Sequence, residues 1–405
     1  MPKLKKILIA GAGIGGLSAA CCLMRKGFDV EIHEQAPLLS EVGAGIQISA
    51  NAMHVLRYLG LSDAIAQVGV RPKAYVFRLH DTGEVIQTFA LSAEHERQHG
   101  APYVQLHRAD LHDLLLARAR ELKPDIVHLD HRVIGYGEGR NGVELHLANG
   151  ATARGDLLIG ADGLKSVVRR QIAGDVPPTY TGDAVWRITV PTDRLPRESR
   201  FDQVMSVFMG PGGHVVCYYL RGGTLLNFAG TVETEVSEES WTLKFPWEAL
   251  KADYAGWHSC IQAIIDAADR DACYRWSLHN RPPIRNWSTR RATILGDAAH
   301  PTLPYLAQGA AMAIEDAAVL ARALSQAALI EQALSLYQGT RVERTARVVK
   351  QSNENQRLFH LRSEEEIRRR FAQRDEGVDR NRWLYSYNPL TAELKPEADY
   401  AHLSI

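Results

Sequence analysis

The chain has 405 residues, of which 45% are hydrophobic and 23% are charged, so it is long enough for two or three domains around a substantial core. Its 47 basic and 47 acidic residues balance, which argues against a nucleic-acid partner and against a polybasic membrane anchor. The five cysteines lack metal-binding or disulfide spacing, and no signal core or membrane-length apolar run is found, so a cytoplasmic protein is expected.

The N-terminal segment predicts a dinucleotide site. A strand over residues 7–10 is followed by a glycine-rich turn with Gly11, Gly13, Gly15 and Gly16. The first glycine permits a tight turn, the second lets the backbone approach a pyrophosphate, and the last lets the next helix pack on the strand. Glu34 ends the second strand at the spacing expected of an acid that holds ribose hydroxyls. This pattern does not distinguish NAD from FAD.

Further elements are expected in chain order: a glycine-rich loop over 41–45 leading to a strand, a helix capped by Asn51, a hairpin over 75–89, a helix over 110–122, and strands over 126–129, 143–147 and 157–159. Residues 180–285 are richer in Tyr, Trp and Val, which predicts a mainly antiparallel sheet. Residues 291–296 return to a parallel-strand pattern, and a long helical region follows over about 309–374.

The predicted fold is therefore α/β with three parts. A discontinuous, Rossmann-like dinucleotide-binding domain comprises residues 1–75, 101–180 and 285–325. A substrate-binding β-sheet domain, inserted into it, comprises residues 76–100 and 181–284. A C-terminal helical region and tail occupies residues 326–405.

Three later segments narrow the choice of ligand. Asp162 and Gly163 follow a buried strand, Asp297 follows another at Gly296, and Gln308, Gly309 and Ala310 open a helix. In this order, and together with the glycine-rich turn, they resemble the single-component FAD-dependent aromatic hydroxylases over most of residues 5–350. The group that is most similar contains salicylate hydroxylase, 3-hydroxybenzoate 6-hydroxylase and 6-hydroxynicotinate 3-monooxygenase.

The resemblance implies that FAD is the resident cofactor. It assigns to FAD binding Gly11, Gly13, Gly15, Gly16, Glu34, Arg108, Asp162, Gly163, Asp297, Gln308, Gly309 and Ala310. Within that set, Arg108 is expected at the diphosphate or ribityl region and Asp297 at the ribityl chain and pyrophosphate. Backbone N–H groups that follow Gly309 would stabilise negative charge on the reduced flavin.

The implied activity is monooxygenation of a small, hydroxybenzoate-like aromatic acid through a flavin C4a-hydroperoxide. NAD(P)H, with NADH favoured, is the transient reductant, and O2 is the co-substrate. Salicylate is the first choice because of the local sequence at 238–241 and 287–288, with 3-hydroxybenzoate and hydroxynicotinate as alternatives. An NAD-dependent dehydrogenase and a non-hydroxylating flavoprotein remain open, as does a monomer or a homodimer.

Two candidate catalytic residues share one strand. His214 and Tyr218 lie on the same face by strand alternation, and the family places a His and a Tyr in its aromatic pocket. His214 is expected to be a base or hydrogen-bond acceptor for the substrate hydroxyl, and Tyr218 to position the substrate. Buried residues satisfied within the sheet are the alternative.

Three more residues are candidate pocket liners. These are Gln47, Tyr305 and Arg187. Arg187 is a candidate partner of a substrate carboxylate, and a structural ion pair is the alternative. No metal is expected, because the His95–His99 segment fits the HExxH pattern only in a short polar stretch without a third ligand.

Overall fold

The computed structural model describes residues 6–39, 45–237, 243–373 and 381–397. The loop over 41–44 and the segment 238–241 used in the sequence analysis lie outside these residues. The strands within the described ranges are β1 (Lys6–Ala10), β2 (Asp29–His33), β3 (Gly45–Ile48), β4 (Ala74–Leu79), β5 (Val85–Ala90), β6 (Val104–His107), β7 (Val127–His128), β8 (Val133–Glu138), β9 (Val143–Leu147), β10 (Thr152–Gly155), β11 (Leu157–Gly160), β12 (Thr179–Pro191), β13 (Met205–Gly210), β14 (Gly213–Leu220), β15 (Leu225–Glu233), β16 (Tyr274–Asn280) and β17 (Ala292–Ile294).

The α-helices in the same ranges are α1 (Ile14–Met24), α2 (Ala50–Tyr58), α3 (Ser62–Val68), α4 (Ala93–His99), α5 (Arg108–Leu122), α6 (Val167–Ala173), α7 (Trp247–Asp253), α8 (Ser259–Asp266), α9 (Gly309–Gln326), α10 (Ile330–Phe359), α11 (Glu364–Ala372) and α12 (Arg382–Tyr385). Two single-turn 3-10 helices, Gly296–Ala298 and Pro304–Leu306, are relevant to the site. No described helix combines the length and the apolar character needed to cross a bilayer.

A five-stranded parallel sheet forms the nucleotide-binding half, in the order β17-β11-β1-β2-β7. Its central strands are almost wholly apolar and buried, as expected for a parallel sheet covered on both faces. Gly27 has a φ of +84°, which suits the turn between α1 and β2. The expected α/β fold with a Rossmann-like first unit is confirmed.

Three histidines stack at the edge of this sheet. His33 ends β2, and its ring centroid is 5.2 Å from those of His128 and His131. The Nδ1 atoms of His33 and His131 are 2.9 Å apart. The stack therefore adjoins Glu34, the next residue along the chain.

A seven-stranded sheet forms the second half, in the order β16-β12-β15-β14-β13-β4-β5. All of its neighbouring strands are antiparallel except β13 and β4, which are parallel. One face is covered by α7 and α8 through a buried apolar cluster that includes Phe228, Cys217 and Ile261. The mainly antiparallel sheet expected from residues 180–285 is therefore present.

The long helical region expected over about 309–374 is present as the helices α9, α10 and α11. One local prediction needs adjustment. The expected Asn51 cap is wrong, because Ser49 occupies the N-cap position of α2 with extended backbone angles. The Asn51 side chain instead donates to Gln308 (3.0 Å) and Glu315 (2.5 Å), since a buried amide is better satisfied by those two oxygens than by its own helix.

Candidate active site

The glycine-rich turn is packed as a dinucleotide turn requires. Gly11 has a φ of +102°, and a Cβ there would lie 2.5 Å from the Ala161 carbonyl oxygen. A Cβ at Gly16 would lie 2.0 Å from the Gly11 carbonyl oxygen, whereas one at Gly13 would meet no protein atom within 4 Å. Gly11 and Gly16 are thus fixed by the protein itself, and Gly13 faces open space at the start of α1, where a phosphate is favoured.

Acidic side chains lie at the carboxyl ends of the neighbouring strands. Glu34 accepts hydrogen bonds from the backbone N–H groups of Ala12 (2.8 Å) and Ala36 (2.9 Å). Asp162 accepts hydrogen bonds from the Ser166 hydroxyl (2.5 Å) and the Val167 N–H (2.7 Å). Burial nevertheless raises the pKa of Asp162. Asp162 therefore shapes the loop that leads into α6, and a role toward FAD stays a prediction.

Asp297 and Arg108 interact electrostatically. Asp297 is exposed, yet enough protein surrounds its carboxyl group that burial raises its pKa, with His300 and Arg108 acting in the opposite direction. Burial likewise lowers the pKa of Arg108, which Asp297 raises in part. A positive and a negative group thus influence each other in this region.

The start of α9 faces the same region. Gln308 is its N-cap residue, and its side-chain amide donates to the Ser49 hydroxyl at 3.0 Å. Gly309 and Ala310 are partly exposed, and the first N–H groups of a helix have no partner within that helix. Ala307, just before the helix, has a φ of +53°, which costs about 1 kcal/mol for a residue other than glycine. The intrinsic backbone preference of alanine therefore disfavours this left-handed conformation, and the surrounding structure must hold the loop before α9 in it.

A buried ionic cluster connects α9 to α10. The Arg341 guanidinium lies 2.6 Å from both Glu315 and Asp316, and all three side chains are fully buried. His300 Nε2 lies 2.6 Å from Asp316 Oδ2, and Arg344 pairs with Glu315 at 2.7 Å. Burial alone would raise the pKa of Asp316, but His300 and Arg341 together lower it to about 2. The cluster fixes α9 to α10 and to the 3-10 turn that contains Asp297.

On the face of the second sheet opposite α7 and α8, side chains form regular rows across neighbouring strands. Directly paired residues on neighbouring strands share a face, so each row can be read from the strand register. The rows are Thr189–Asn227–Tyr218, Arg187–Ala229–Val216, Val185–Thr231–His214 and, at the sheet end, Asp183–Glu233. All three members of the Arg187 row are partly exposed, as is Thr189 in the neighbouring row, whereas Asn227, Tyr218, Val185, Thr231 and His214 are buried. Space therefore remains above this row, and we call it the central cavity.

Tyr218, Gln47 and Arg187 meet at one side of the central cavity. A Cβ at Gly45 would lie 2.4 Å from the Tyr218 hydroxyl oxygen, so β3 passes close against that ring. Gln47 lies close enough to Tyr218 to influence its pKa, and it accepts a hydrogen bond from the Tyr103 hydroxyl at 2.6 Å. Burial raises the pKa of Tyr218 to about 12, although Arg187 and Gln47 lower it in part. Tyr218 therefore keeps its proton at neutral pH and can donate a hydrogen bond.

Arg187 is a largely enclosed cation that reaches the central cavity and has no ion-pair partner among the described residues. Its guanidinium carbon lies 4.2 Å from the centroid of the Trp276 ring. Burial lowers its pKa to about 10, Tyr218 raises it in part and Arg108 lowers it, so the group stays charged at neutral pH. The structural ion pair that the sequence left open is thus not found in the described ranges. Its charge is available to an anion in the central cavity.

His214 lies at the opposite side, beside Tyr305. The two ring centroids are 5.3 Å apart, and Phe359 and His360 complete the ring contacts of His214. Burial, and then His360, lower the pKa of His214 well below its usual value. The imidazole is therefore neutral at pH 7 and has a ring nitrogen that can accept a hydrogen bond. Cys217 points the other way into the apolar cluster, as expected.

The HExxH segment forms α4 and packs within the protein. The His95 and His99 ring centroids are 4.5 Å apart, and both rings contact Tyr385. His99 Nδ1 also lies 2.7 Å from the Ser386 hydroxyl. In the part of the chain that the structure describes, no group of three or more His, Cys, Asp or Glu side chains is arranged to hold a metal ion.

Sequence reasoning missed three residues of this region. Asn51, Arg341 and Asp183 each contact a predicted site residue or its helix, but none belongs to a motif. Arg341 and Asn51 are separated from their partners by 25 and 264 positions. The available sequence signal for Arg341 is that an arginine stands at a position where the helical periodicity favours a buried apolar residue.

Comparison with known proteins agrees with this geometry. Residues 5–352 match the family model described as FAD binding domain. The chain is 36% identical over 364 residues to 6-hydroxynicotinate 3-monooxygenase of Pseudomonas fluorescens, covering 88% of this chain and 92% of that protein. It is 36% identical over 389 residues to 3-hydroxybenzoate 6-hydroxylase of Polaromonas naphthalenivorans (strain CJ2), covering 94% and 96%.

Solved structures agree at the level of the whole chain. HpxO of Klebsiella pneumoniae, solved in complex with FAD and uric acid, superposes with a TM-score of 0.82 at 28% identity, covering 91% of this chain and 92% of that one. The open space at Gly13 and the accessible carboxylate of Asp297 fit FAD, which needs room for a pyrophosphate and acceptors for hydroxyl groups. The chain belongs to the FAD binding domain family, among the flavin-dependent aromatic monooxygenases.

Proposed function

We propose that this enzyme uses NADH and O2 to hydroxylate a small aromatic or heteroaromatic carboxylate that already bears a hydroxyl group. The observation that supports this most is Arg187, a largely enclosed cation beside the central cavity with no carboxylate within ion-pair distance among the described residues. A charge that is largely removed from water is costly unless it is paired, so a ligand carboxylate is the natural partner. A bidentate guanidinium–carboxylate pair would also fix the orientation of the ring.

His214 supplies the second part of the proposal. A phenol has a pKa of about 10, so an aromatic hydroxyl is protonated at neutral pH and is a weak nucleophile in that form. A neutral imidazole beside the hydroxyl can accept its proton, and a base in this role typically contributes about 10²–10⁴-fold to the rate. His214 lies two residues along β14 from Val216, which faces the central cavity. Substrate held at Arg187 would thus extend toward His214.

The remaining groups would hold FAD and exclude water. FAD bound between Gly13 and Asp297, once reduced by NADH, would supply the activated oxygen. Arg108, Asp297 and the N–H groups at the start of α9 would orient it. Tyr218 and Gln47 would close the cavity on the β3 side, and a dry cavity protects reactive intermediates from side reactions.

Among substrates, we propose 3-hydroxybenzoate and 6-hydroxynicotinate beside salicylate. The relatives reported above are named for the first two. The preference for salicylate rests on the local sequence at residues 238–241, which lie outside the described residues, and at Trp287–Ser288. Trp287 is buried, contacts His300 and Tyr337, and takes no part in the central cavity.

A substrate screen tests the proposal directly. Each of the three acids is added to the FAD-loaded enzyme with NADH in air, and product is identified by mass. At least one acid should stimulate NADH consumption and gain one oxygen atom. NADH consumption with no oxygenated product from any of them would contradict the proposal.

Arg187→Met tests the assigned carboxylate contact. Loss of a charge-assisted hydrogen-bonded pair costs about 1.5–3 kcal/mol, so KM for the acid should rise about 10- to 150-fold. The wild type should prefer the acid over its carboxamide, and the variant should lose that preference. Arg275→Met is the matched control, because Arg275 also stacks on aromatic rings (Phe245, 4.2 Å) but packs with Trp186 in the cluster on the opposite face. An equal rise in both variants would remove Arg187 from this role.

A further inference from the structure

The short C-terminal helix α12 packs against the loop that precedes α9. Its residue Leu384 is fully buried, in one apolar cluster with Leu306 and Met312. Leu306 ends the 3-10 turn before this loop, and Met312 lies in the first turn of α9. The cluster thus contains residues on both sides of Ala307, whose left-handed conformation (φ of +53°) the surrounding structure must hold.

A hydrogen-bonded network starts from the same helix. Arg344 of α10 donates to the backbone carbonyl groups of Trp383 (3.1 Å) and Leu384 (2.9 Å). Carbonyl groups at the end of a helix lack partners within it, so a cation is favoured there. The same guanidinium donates to both carboxylate oxygens of Glu315 in α9, at 2.9 and 2.7 Å. Arg344 therefore joins α12 to α9.

The network ends at the residue that begins α9. Asn51 Nδ2 donates to Glu315 Oε1 (2.5 Å) and to Gln308 Oε1 (3.0 Å). Gln308 Nε2 donates in turn to the Ser49 hydroxyl (3.0 Å), and all four of these side chains are buried. Because both ends of its amide are engaged in this way, the Gln308 side chain fixes the loop. The backbone N–H groups at the start of α9 remain for a ligand.

Helix α12 also contacts one side of the central cavity. The Tyr385 ring centroid lies 5.2 Å from that of His95 and 6.2 Å from that of Tyr103. The Tyr103 hydroxyl donates to Gln47, which lies close to Tyr218. One short helix is therefore in contact with the loop before α9 and with the wall of the central cavity.

We propose that Leu384 and Arg344 are positioning residues for FAD, because they hold the loop before α9 in the conformation that aims the first N–H groups of this helix at the cofactor. The inference rests on FAD as the cofactor of the proposed function. Without these contacts the loop would populate other conformations, and affinity for FAD falls with the fraction of molecules that keep the competent one. A loose loop would also admit water to the central cavity, so less of the NADH consumed would yield product.

Leu384→Ala tests the apolar contact, with Leu250→Ala as the matched control. Both leucines are fully buried, and Leu250 of α7 lies in the apolar cluster on the other face of the second sheet. Both variants should lower the melting temperature of the FAD-free protein, because each leaves a cavity. Fluorescence titration should show FAD affinity at least about tenfold weaker in Leu384→Ala and within about twofold of wild type in Leu250→Ala. The visible absorption spectrum of bound FAD should shift in Leu384→Ala alone.

Leu384→Met provides a rescue. Methionine refills the leucine volume without adding a polar group, so FAD affinity and the spectrum should return close to those of wild type. With an acid that the wild type hydroxylates, product per NADH consumed should fall in Leu384→Ala and recover in Leu384→Met.

Arg344→Lys keeps the test decisive if Leu384→Ala folds poorly. Lysine retains the charge beside Glu315 but lacks the planar fork that bonds a carboxylate and two carbonyl groups at once, so FAD affinity should fall here too. Arg322→Lys is its control, because Arg322 of α9 also donates to a backbone carbonyl of the C-terminal segment, but at Pro389 (2.7 Å), beyond α12. This control should bind FAD as the wild type does.

Unchanged FAD affinity and spectrum in Leu384→Ala or in Arg344→Lys, or an equal loss in the matched control, would overturn the inference. FAD affinity is measured without substrate. A wild type that binds FAD but hydroxylates none of the three acids would therefore contradict the proposed function alone.

Discussion

Two glycines of the same turn differ in what constrains them. A Cβ at Gly16 would collide with the Gly11 carbonyl oxygen, and a Cβ at Gly13 would meet only open space. Gly13 also has ordinary backbone angles, with a φ of −71°. The protein fold therefore needs glycine at position 16, whereas at position 13 it does not, and there we expect the requirement to come from FAD.

Alanine at each position should separate the two requirements. Gly13→Ala should leave the melting temperature of the FAD-free protein unchanged and weaken FAD binding at least about tenfold, since the methyl group occupies the approach of the pyrophosphate. Gly16→Ala should destabilise the FAD-free protein by about 1–3 kcal/mol because backbone must move. Thermal unfolding and fluorescence titration with FAD measure the two effects. Equal melting temperatures for the two variants would contradict this distinction.

At the level of single residues, motifs with a local cause were predictable. Gly11 and Glu34 lie where a strand–turn–helix–strand unit puts them, because the spacing within this one short unit decides their placement. Asp183 was not predictable, because its partner Tyr305 is 122 positions away. A carboxylate within a strand has no local feature that marks it as a partner of a distant phenol.

At the level of elements, α9 depends on charges that α10 supplies. Arg341 of α10 is the cation between Glu315 and Asp316, and His300 adds a contact to Asp316. The apolar periodicity of α9 predicts that the helix forms. The same periodicity does not predict the ionic cluster, because the cluster forms only when α10 packs against α9.

Removing the Arg341 guanidinium should therefore be severe. Arg341→Met leaves two buried carboxylates without their shared partner, and breaking a buried pair in this way costs about 3–5 kcal/mol. Urea unfolding of the FAD-loaded protein measures the loss. Arg382→Met, in the short helix α12, gives a control without a buried ion pair, and its free energy of unfolding should stay within about 0.5 kcal/mol of wild type. A similar value for Arg341→Met would mean that the cluster contributes little.

At the level of the whole molecule, acid should weaken the fold through the histidine stack. Burial, and then His128 and His131, lower the pKa of His33 to about 4 from an ordinary value of 6.5, with Glu31 opposing the shift and Lys6 adding to it. A group whose pKa is lower in the folded state binds fewer protons there than in the unfolded state. Its stabilising contribution is thus complete above pH 6.5 and declines as the pH falls toward 4.

The expected loss between those limits is of the order of 1–3 kcal/mol. Urea unfolding at pH 7.5, 6, 5 and 4 measures it, and His33→Gln should flatten the dependence because the titrating group is gone. His146→Gln, at a half-exposed histidine of β9, should leave it unchanged. A dependence that persists undiminished in His33→Gln would assign it to other groups.

The order of the two sheets was predictable in outline, because strand periodicity and glycine-rich turns mark each half of the chain. How the sheets face each other was not, since that depends on contacts such as the hydrogen bond from the Gly45 N–H to Asn227 Oδ1, 2.7 Å long and 182 positions apart. The central cavity exists only because of this packing, and no single segment encodes it.

Strand β12 contains both Arg187 and Asp183, four positions apart on one face of a 13-residue strand. The guanidinium that reaches the central cavity and the carboxylate that holds Tyr305 are therefore fixed relative to each other, at a separation of about 13 Å set by the rise of an extended chain. An engineer who transplants this strand into a relative would transfer both side chains at once. A slip of its register by one position would turn both side chains to the helix-covered face.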